Sequence, residues 1–117
     1  MDEQQMKRRT KAFALRVIKL AGTLSKDSVG RRLGDQLLRA GTSVASNYRA
    51  ACRARSLADF VSKLGIAEEE ADESVLWMEL LSESGLVPPK HLETLLYEAN
   101  QLTAIIVASR KTCKAKL

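Results

Sequence analysis

The sequence predicts an all-α protein, a single domain over residues 1–117 that folds as an antiparallel up-down-up-down four-helix bundle. Aromatic residues make up only 4% of the chain and proline occurs twice, a composition that favours helices over sheets. Apolar residues recur at steps of three and four in four long segments, as they do on the buried face of a helix. The breaks between these segments are short, and short connections make consecutive helices antiparallel.

The first predicted helix spans about residues 5–25 and the second about residues 28–54. Each carries an apolar stripe at helical spacing. Asp27 or Ser28 supplies the N-cap of the second helix, because a short side-chain oxygen accepts from the unpaired N–H groups of the first turn. Small residues border the stripe of the second helix and predict that a neighbouring helix approaches closely there. These residues are Gly34, Gly41, Ala45 and Cys52.

The third predicted helix spans about residues 57–84 and the fourth about residues 89–114. Ser56 has the character of an N-cap for the third helix. Gly85 follows its last residue, where glycine readily adopts the left-handed cap conformation. Pro88 and Pro89 then suit the first turn of the fourth helix, since proline lacks only a hydrogen bond that this turn does not make.

Charge alternates along the chain, whose net charge is +5. Residues 1–55 hold 13 Lys and Arg against four Asp and Glu, net +9, whereas residues 56–100 hold two against ten, net −8. The last 17 residues carry four cations and no acid. Neighbouring helices of opposite charge, within one bundle or between subunits, account for this alternation.

A basic face on the second helix, extended by lysines of the first, is the predicted nucleic-acid-binding surface. At about 100° per residue, five arginines share one arc opposite the apolar stripe. They are Arg31, Arg32, Arg39, Arg49 and Arg53. The planar fork of arginine suits both phosphate and carboxylate, so two interpretations stay open. The arginines bind nucleic-acid phosphates, or they pair with the acidic third helix of the same chain or of a neighbouring subunit.

The third helix carries a second apolar stripe, roughly opposite its core stripe, that one bundle does not need. A contiguous exposed patch with a tryptophan is typical of a protein interface, and we predict a subunit interface here. Its residues are Ile66, Glu73, Leu76, Trp77 and Leu80. The alternative is that Trp77 and its neighbours pack onto a flanking helix of the same chain.

No residue pattern indicates an enzyme, a metal site or a cofactor. His91 is the only histidine, and Cys52 and Cys113 are too far apart for the spacing of a zinc site. The serines have no base in a recognisable arrangement. We find no signal peptide or membrane-spanning segment in the sequence and therefore expect a cytoplasmic protein. From the residue patterns we expect that it is not an enzyme and that it binds no metal or cofactor.

A pattern in the second and third helices resembles that of a known family. It consists of Gln36-Leu37-x-Arg39-Ala40-x-x-Ser43-Val44-Ala45-x-Asn47, then Arg53-x-Arg55-Ser56, then Phe60-x-x-Lys63-Leu64-x-Ile66-Ala67 with Glu73 and Trp77. The pattern is similar to that of the four-helix-bundle family related to 23S rRNA intervening-sequence proteins, over roughly residues 13–110. The chain departs from the common form at Ala50-Ala51, where many members carry Glu-Gly.

The resemblance implies an assembly and a class of partner that composition does not show. It implies a homopentamer whose bundles form a conical barrel around a central channel. The relative encoded in diversity-generating retroelements has a basic surface, binds nucleic acid and partners a reverse transcriptase. Carried over residue by residue, the family pattern is matched here only by Arg39, Arg53 and Arg55 and by the polar pair Ser43 and Asn47. The alternative for this pair, whose members are one helical turn apart, is a structural role in which they cap or bridge helices.

Together these observations predict a cytoplasmic homo-oligomer, a pentamer by resemblance, that binds RNA or DNA through the basic face of its first two helices. The alternative function is an oligomeric scaffold or adaptor that binds another protein, with its arginines used in subunit contacts. By resemblance, a reverse transcriptase is one such protein.

Overall fold

The computed structural model describes all 117 residues and consists of four α-helices without β-strands. The helices are α1 (Glu3–Thr23), α2 (Ser28–Cys52), α3 (Leu57–Glu83) and α4 (Pro89–Lys114). The predicted all-α, four-helix fold is therefore confirmed. The helix ends differ from the predicted ones by at most two residues, because the caps described next decide where each helix begins and ends.

Local capping contacts define the ends of the helices. Asp2 accepts from the backbone N–H of Gln5 and donates its own backbone N–H to the Gln5 side chain, which is a capping box. This box starts α1 two residues earlier than predicted. The side chains of Asp27 and Ser56 likewise accept from a backbone N–H group three residues further on, at the starts of α2 and α3. Gly85, with a φ of 82°, follows α3 in the left-handed region.

One apolar face of each helix contributes to a single core, and its central side chains are fully buried. They include Phe13, Val17, Leu37, Val44, Leu64, Met78, Leu92, Leu102 and Ile106. Helices α1 and α2 pack tightly at Gly41, where a Cβ atom would lie 2.8 Å from both Cγ atoms of Val17. A Cβ atom on Gly34 would likewise lie too close to the side chain of Leu24. The small residues that border the stripe of α2 therefore face α1.

Contacts between α1 and α2 run in opposite chain directions. The two helices meet at Gly41 with Val17 and again at Gly34 with Leu24, so residue numbers rise along one helix as they fall along the other. The molecule is elongated, with principal dimensions of 46 × 20 × 20 Å. Side chains that are far apart in sequence therefore meet at the same level of the bundle, and this decides which charges become neighbours.

Candidate nucleic-acid interface

The five arginines of the predicted basic face are all exposed, but they do not form one continuous patch. Arg31 and Arg32 lie near the start of α2, whereas Arg49 lies in its last turn and Arg53 directly follows it. At 1.5 Å per residue, Arg32 and Arg49 are about 26 Å apart along the helix axis. The structure therefore divides the predicted face into two clusters, with Arg39 between them.

Arg39 is neutralised by carboxylates of its own chain. Its Nη1 donates to Glu70 Oε2 at 2.9 Å and its Nη2 donates to Glu73 Oε1 at 2.7 Å, which ties α2 to α3. None of the other four arginines forms an ion pair within the chain. Of the two interpretations, pairing with the acidic third helix therefore holds for Arg39. Its charge is not free to bind a phosphate, as was predicted for the basic face, because the alignment of α2 with α3 places Arg39 beside Glu70 and Glu73.

The Arg39 network contains a carboxyl group whose ionisation is disfavoured. Burial raises the pKa of Glu70 and the neighbouring Glu73 raises it further, whereas a hydrogen bond with Ser43 and the charge of Arg39 lower it. Asn47 Nδ2 donates to the backbone carbonyl of Ser43 at 2.9 Å. The polar pair Ser43 and Asn47, which the family pattern singles out, therefore makes its contacts inside the chain.

Arg49 stands between two surface depressions that were not predicted from the sequence. The first has a volume of about 240 Å³ and lies between α1 and α2, where Lys7, Lys11, Thr42, Ser46 and Arg49 are among its lining residues. The second has a volume of about 390 Å³ and lies between α2 and α3, where it is lined by Ser46, Arg49, Ala50, Arg53 and Lys63. The side chain of Arg49 therefore borders both depressions.

Five cations line these two depressions, and three of them have no ion-pair partner, namely Lys11, Arg49 and Arg53. Lys7 pairs with Glu3 at 3.3 Å and Lys63 pairs with Asp59 at 3.0 Å. Pairs of this kind, four residues apart on an exposed helix surface, stabilise by only about 0.5 kcal/mol or less, so a phosphate can replace the carboxylate. Lys63 was not predicted as a site residue because its segment of the sequence is strongly acidic.

The stripe predicted as a subunit interface is exposed only in part. Ile66, Leu76 and Leu80 are 44%, 46% and 40% exposed. Trp77 is partly buried and packs against the core of its own chain, as the alternative interpretation has it. Glu73 binds Arg39 of the same chain. The open part of the stripe thus consists of its three aliphatic residues.

The structure places no group of three His, Cys, Asp or Glu side chains where they could hold a metal ion. Burial raises the pKa of the Cys52 thiol, which opposes formation of a reactive thiolate. His91 is exposed near the start of α4. None of the four helices has an apolar stretch long enough to cross a membrane.

Comparison with known proteins identifies relatives by sequence and by fold. A sequence model of the family described as 23S rRNA-intervening sequence protein matches residues 2–108. The chain is also similar to a crystal structure from Bacteroides thetaiotaomicron VPI-5482, described as a protein with unknown function from the S23 ribosomal protein family. The TM-score is 0.87 at 31% identity, over 95% of this chain and 99% of that one. No curated protein matches.

Proposed function

Because this chain belongs to the 23S rRNA-intervening sequence protein family, as its sequence pattern predicts, we propose that it is a non-enzymatic protein that binds the phosphate backbone of RNA or DNA. It acts in the cytoplasm as a homo-oligomer, a pentamer by family resemblance. One observation carries the proposal. Four of the five arginines on the basic face are exposed and have no carboxylate partner in the chain.

Unpaired arginines favour phosphate as a partner for two reasons. The guanidinium fork matches the geometry of phosphate oxygens and forms charge-assisted hydrogen bonds with them. Each phosphate that is neutralised also releases condensed counterions, so binding weakens steeply as salt rises. Such contacts recognise the backbone and not the bases, so the binding is independent of sequence.

The direct test is filter binding of the purified protein to RNA and DNA oligonucleotides of random sequence. If about four phosphates are neutralised, we expect affinity to fall about 100-fold between 50 and 200 mM salt. Replacing all four unpaired arginines by glutamate should abolish binding under the same conditions. The four positions are Arg31, Arg32, Arg49 and Arg53.

The matched control replaces the same four arginines by lysine. It keeps the charge and the positions but loses the guanidinium fork, so we expect a loss of affinity much smaller than that of the glutamate variant, because the release of counterions depends on charge alone. A folded glutamate variant that binds as tightly as wild type would disprove the proposal. If the glutamate variant instead loses its oligomeric state, the arginines are interface residues.

A second candidate function, an oligomeric scaffold or adaptor, is favoured by the exposed aliphatic residues of α3. Ile66, Leu76 and Leu80 lie among carboxylates, while α1 exposes Leu15 and Ile18, at 58% and 47%, among lysines. Two mixed surfaces of opposite charge are complementary, so a copy of the same chain fits the α3 stripe. In the adaptor function the partner is another protein, and by resemblance a reverse transcriptase is the first to test.

Replacing both Leu76 and Leu80 by glutamate should shift the protein toward monomers in sedimentation velocity. The reason is that two charges would have to be buried in the proposed interface, whereas in the monomer both positions are solvent-exposed. Trp77 is less suitable for this test because it also packs against the core. Tyr97→Glu, at a position 66% exposed on α4, is the control, and an unchanged sedimentation coefficient in the double variant would argue against the interface.

A further inference from the structure

The four helices meet around a small cavity at one end of the bundle. This cavity, of about 220 Å³, is lined by residues from the start of α1, the end of α2, the start of α3 and the second half of α4. They include Met6, Tyr48, Leu64 and Ile106. The basic N-terminal segment, the α2–α3 connection and the basic C-terminal tail therefore come together in space, although they are separated in the sequence.

Charge is consequently divided along the long axis of the molecule. The half at this end comprises residues 1–13, 41–69 and 102–117, and we call it the basic half. It holds 12 Lys and Arg against five Asp and Glu, net +7. The remaining residues, 14–40 and 70–101, hold seven against nine, net −2. The alternation of charge along the sequence thus becomes one positive end in the folded chain.

Most cations of the basic half are exposed and free of carboxylate partners. Lys7, Arg9 and Lys63 form ion pairs, and Arg110 Nε donates to the backbone carbonyl of Val61. The other eight form no ion pair. These eight are Arg8, Lys11, Arg49, Arg53, Arg55, Lys111, Lys114 and Lys116. Six of the eight do not belong to the predicted face of α2, since only Arg49 and Arg53 are among its five arginines, so the positive surface extends well beyond that face.

The basic half offers no exposed aromatic ring. Phe13 and Tyr48 are buried, Phe60 is half-buried, and no other aromatic residue belongs to this half. Proteins that hold single strands stack the unpaired bases on such rings, whereas a surface of cations alone contacts phosphates. A duplex carries one phosphate charge per about 1.7 Å of its axis, roughly twice the density of one strand. The 20 Å width of the bundle therefore spans about 12 duplex phosphates.

We infer that the basic half is a docking surface for double-helical nucleic acid, which it contacts end-on through the sugar–phosphate backbone. This inference rests on the proposed function and adds the C-terminal lysines Lys111, Lys114 and Lys116 and the connecting residue Arg55 to the binding surface. It also narrows the four unpaired arginines of that function to Arg49 and Arg53, because the opposite half, which holds Arg31 and Arg32 and has a net negative charge, faces away from the duplex. The unpaired cations that hold a duplex bound in this way come from α1, the end of α2, the α2–α3 connection and the end of α4 with the residues that follow it.

The test uses filter binding to a duplex of about 20 base pairs and to its separated strands, in RNA and in DNA form. The triple variant Lys111→Glu, Lys114→Glu and Lys116→Glu should lower affinity for the duplex at least about tenfold, because three phosphate contacts are replaced by repulsion. Wild type should bind either duplex more tightly than the corresponding single strand. Circular dichroism checks that the triple variant keeps its helices. Arg55→Glu, outside α4, provides a second variant if it does not.

Two lysines at opposite ends of α4 provide a matched pair of single substitutions that reverse the charge. Lys114→Glu lies in the basic half and Lys90→Glu in the opposite half, and both positions are exposed. We expect a clear loss of duplex affinity for Lys114→Glu and none for Lys90→Glu. Equal losses, or a preference of the wild type for single strands, would overturn the end-on surface and leave the proposed function standing. Failure of the wild type to bind any nucleic acid would overturn both.

Discussion

Replacing Gly41 by valine is expected to lower the free energy of unfolding by about 3 kcal/mol, because the core between α1 and α2 has no room for a side chain there. A Cβ atom at this position would lie 2.8 Å from both Cγ atoms of Val17, which is fully buried. Val17 is β-branched and has one strongly preferred rotamer in a helix, so it cannot turn away. The better helix propensity of valine over glycine offsets only about 0.5 kcal/mol. Urea denaturation followed by circular dichroism measures the difference.

Two further variants test the cause of this destabilisation. Gly22→Ala introduces a Cβ atom that has no neighbour within 4 Å, so it should raise stability by up to about 1 kcal/mol. Adding Val17→Ala to Gly41→Val makes room for the new side chain and should recover part of the loss. A Gly41→Val protein as stable as wild type would show that α1 can move away from α2 at little cost.

Replacing Arg39 by methionine is expected to lower the free energy of unfolding by about 2 kcal/mol at pH 7. The substitution leaves the mostly buried carboxylate of Glu70 beside that of Glu73 without a cation. The pKa of Glu70 is already raised in the folded chain, so its ionisation costs stability, and this cost is absent below the ordinary pKa of about 4.5. It appears as pH rises through the raised pKa. The charge of Arg39 lowers the pKa of Glu70, so the loss of Arg39 enlarges the cost of ionising this carboxyl group.

The destabilisation by Arg39→Met should therefore be larger at pH 7 than at a pH below 4.5, where the cost of ionising Glu70 is absent. Chemical denaturation at both values of pH measures it. Adding Glu73→Gln removes the repelling charge and should restore part of the stability at pH 7. Lys7→Met, which removes an exposed pair with Glu3, is the control and should cost no more than about 0.5 kcal/mol. A loss for Arg39→Met that does not vary with pH would contradict the role assigned to Glu70.

The helices could be predicted from the sequence because apolar periodicity and capping residues are local signals. Ser56, Gly85 and Pro89 stand where the structure begins or ends a helix. The start of α1 was placed two residues late because the capping box of Asp2 and Gln5 precedes its apolar stripe. The end of α2 at Cys52 was placed two residues too far along, since no glycine or proline marks it in the sequence.

The candidate site was predicted less completely because it depends on how helices are aligned with one another. Arg39 and Arg49 share one face of α2, yet only Arg39 lies level with the carboxylates of Glu70 and Glu73. The positions of residues along one helix do not show how that helix is aligned with its neighbour. Likewise, Lys63 joins Arg49 and Arg53 only because the start of α3 lies beside the end of α2. Charge counted along the chain could not reveal these neighbours.

Trp77 gives the protein a built-in optical reporter. It is the only tryptophan, and its indole packs against the core with a buried Nε1 that has no hydrogen-bond partner in the chain. An indole in an apolar setting emits at a shorter wavelength than one in water, so detachment of α3 from the core would shift the emission to the red. Along α3 the ring is about 20 Å from Lys63 but close to Leu76 and Leu80. Its fluorescence should thus respond to a protein bound on α3 and stay constant when a duplex binds the basic half.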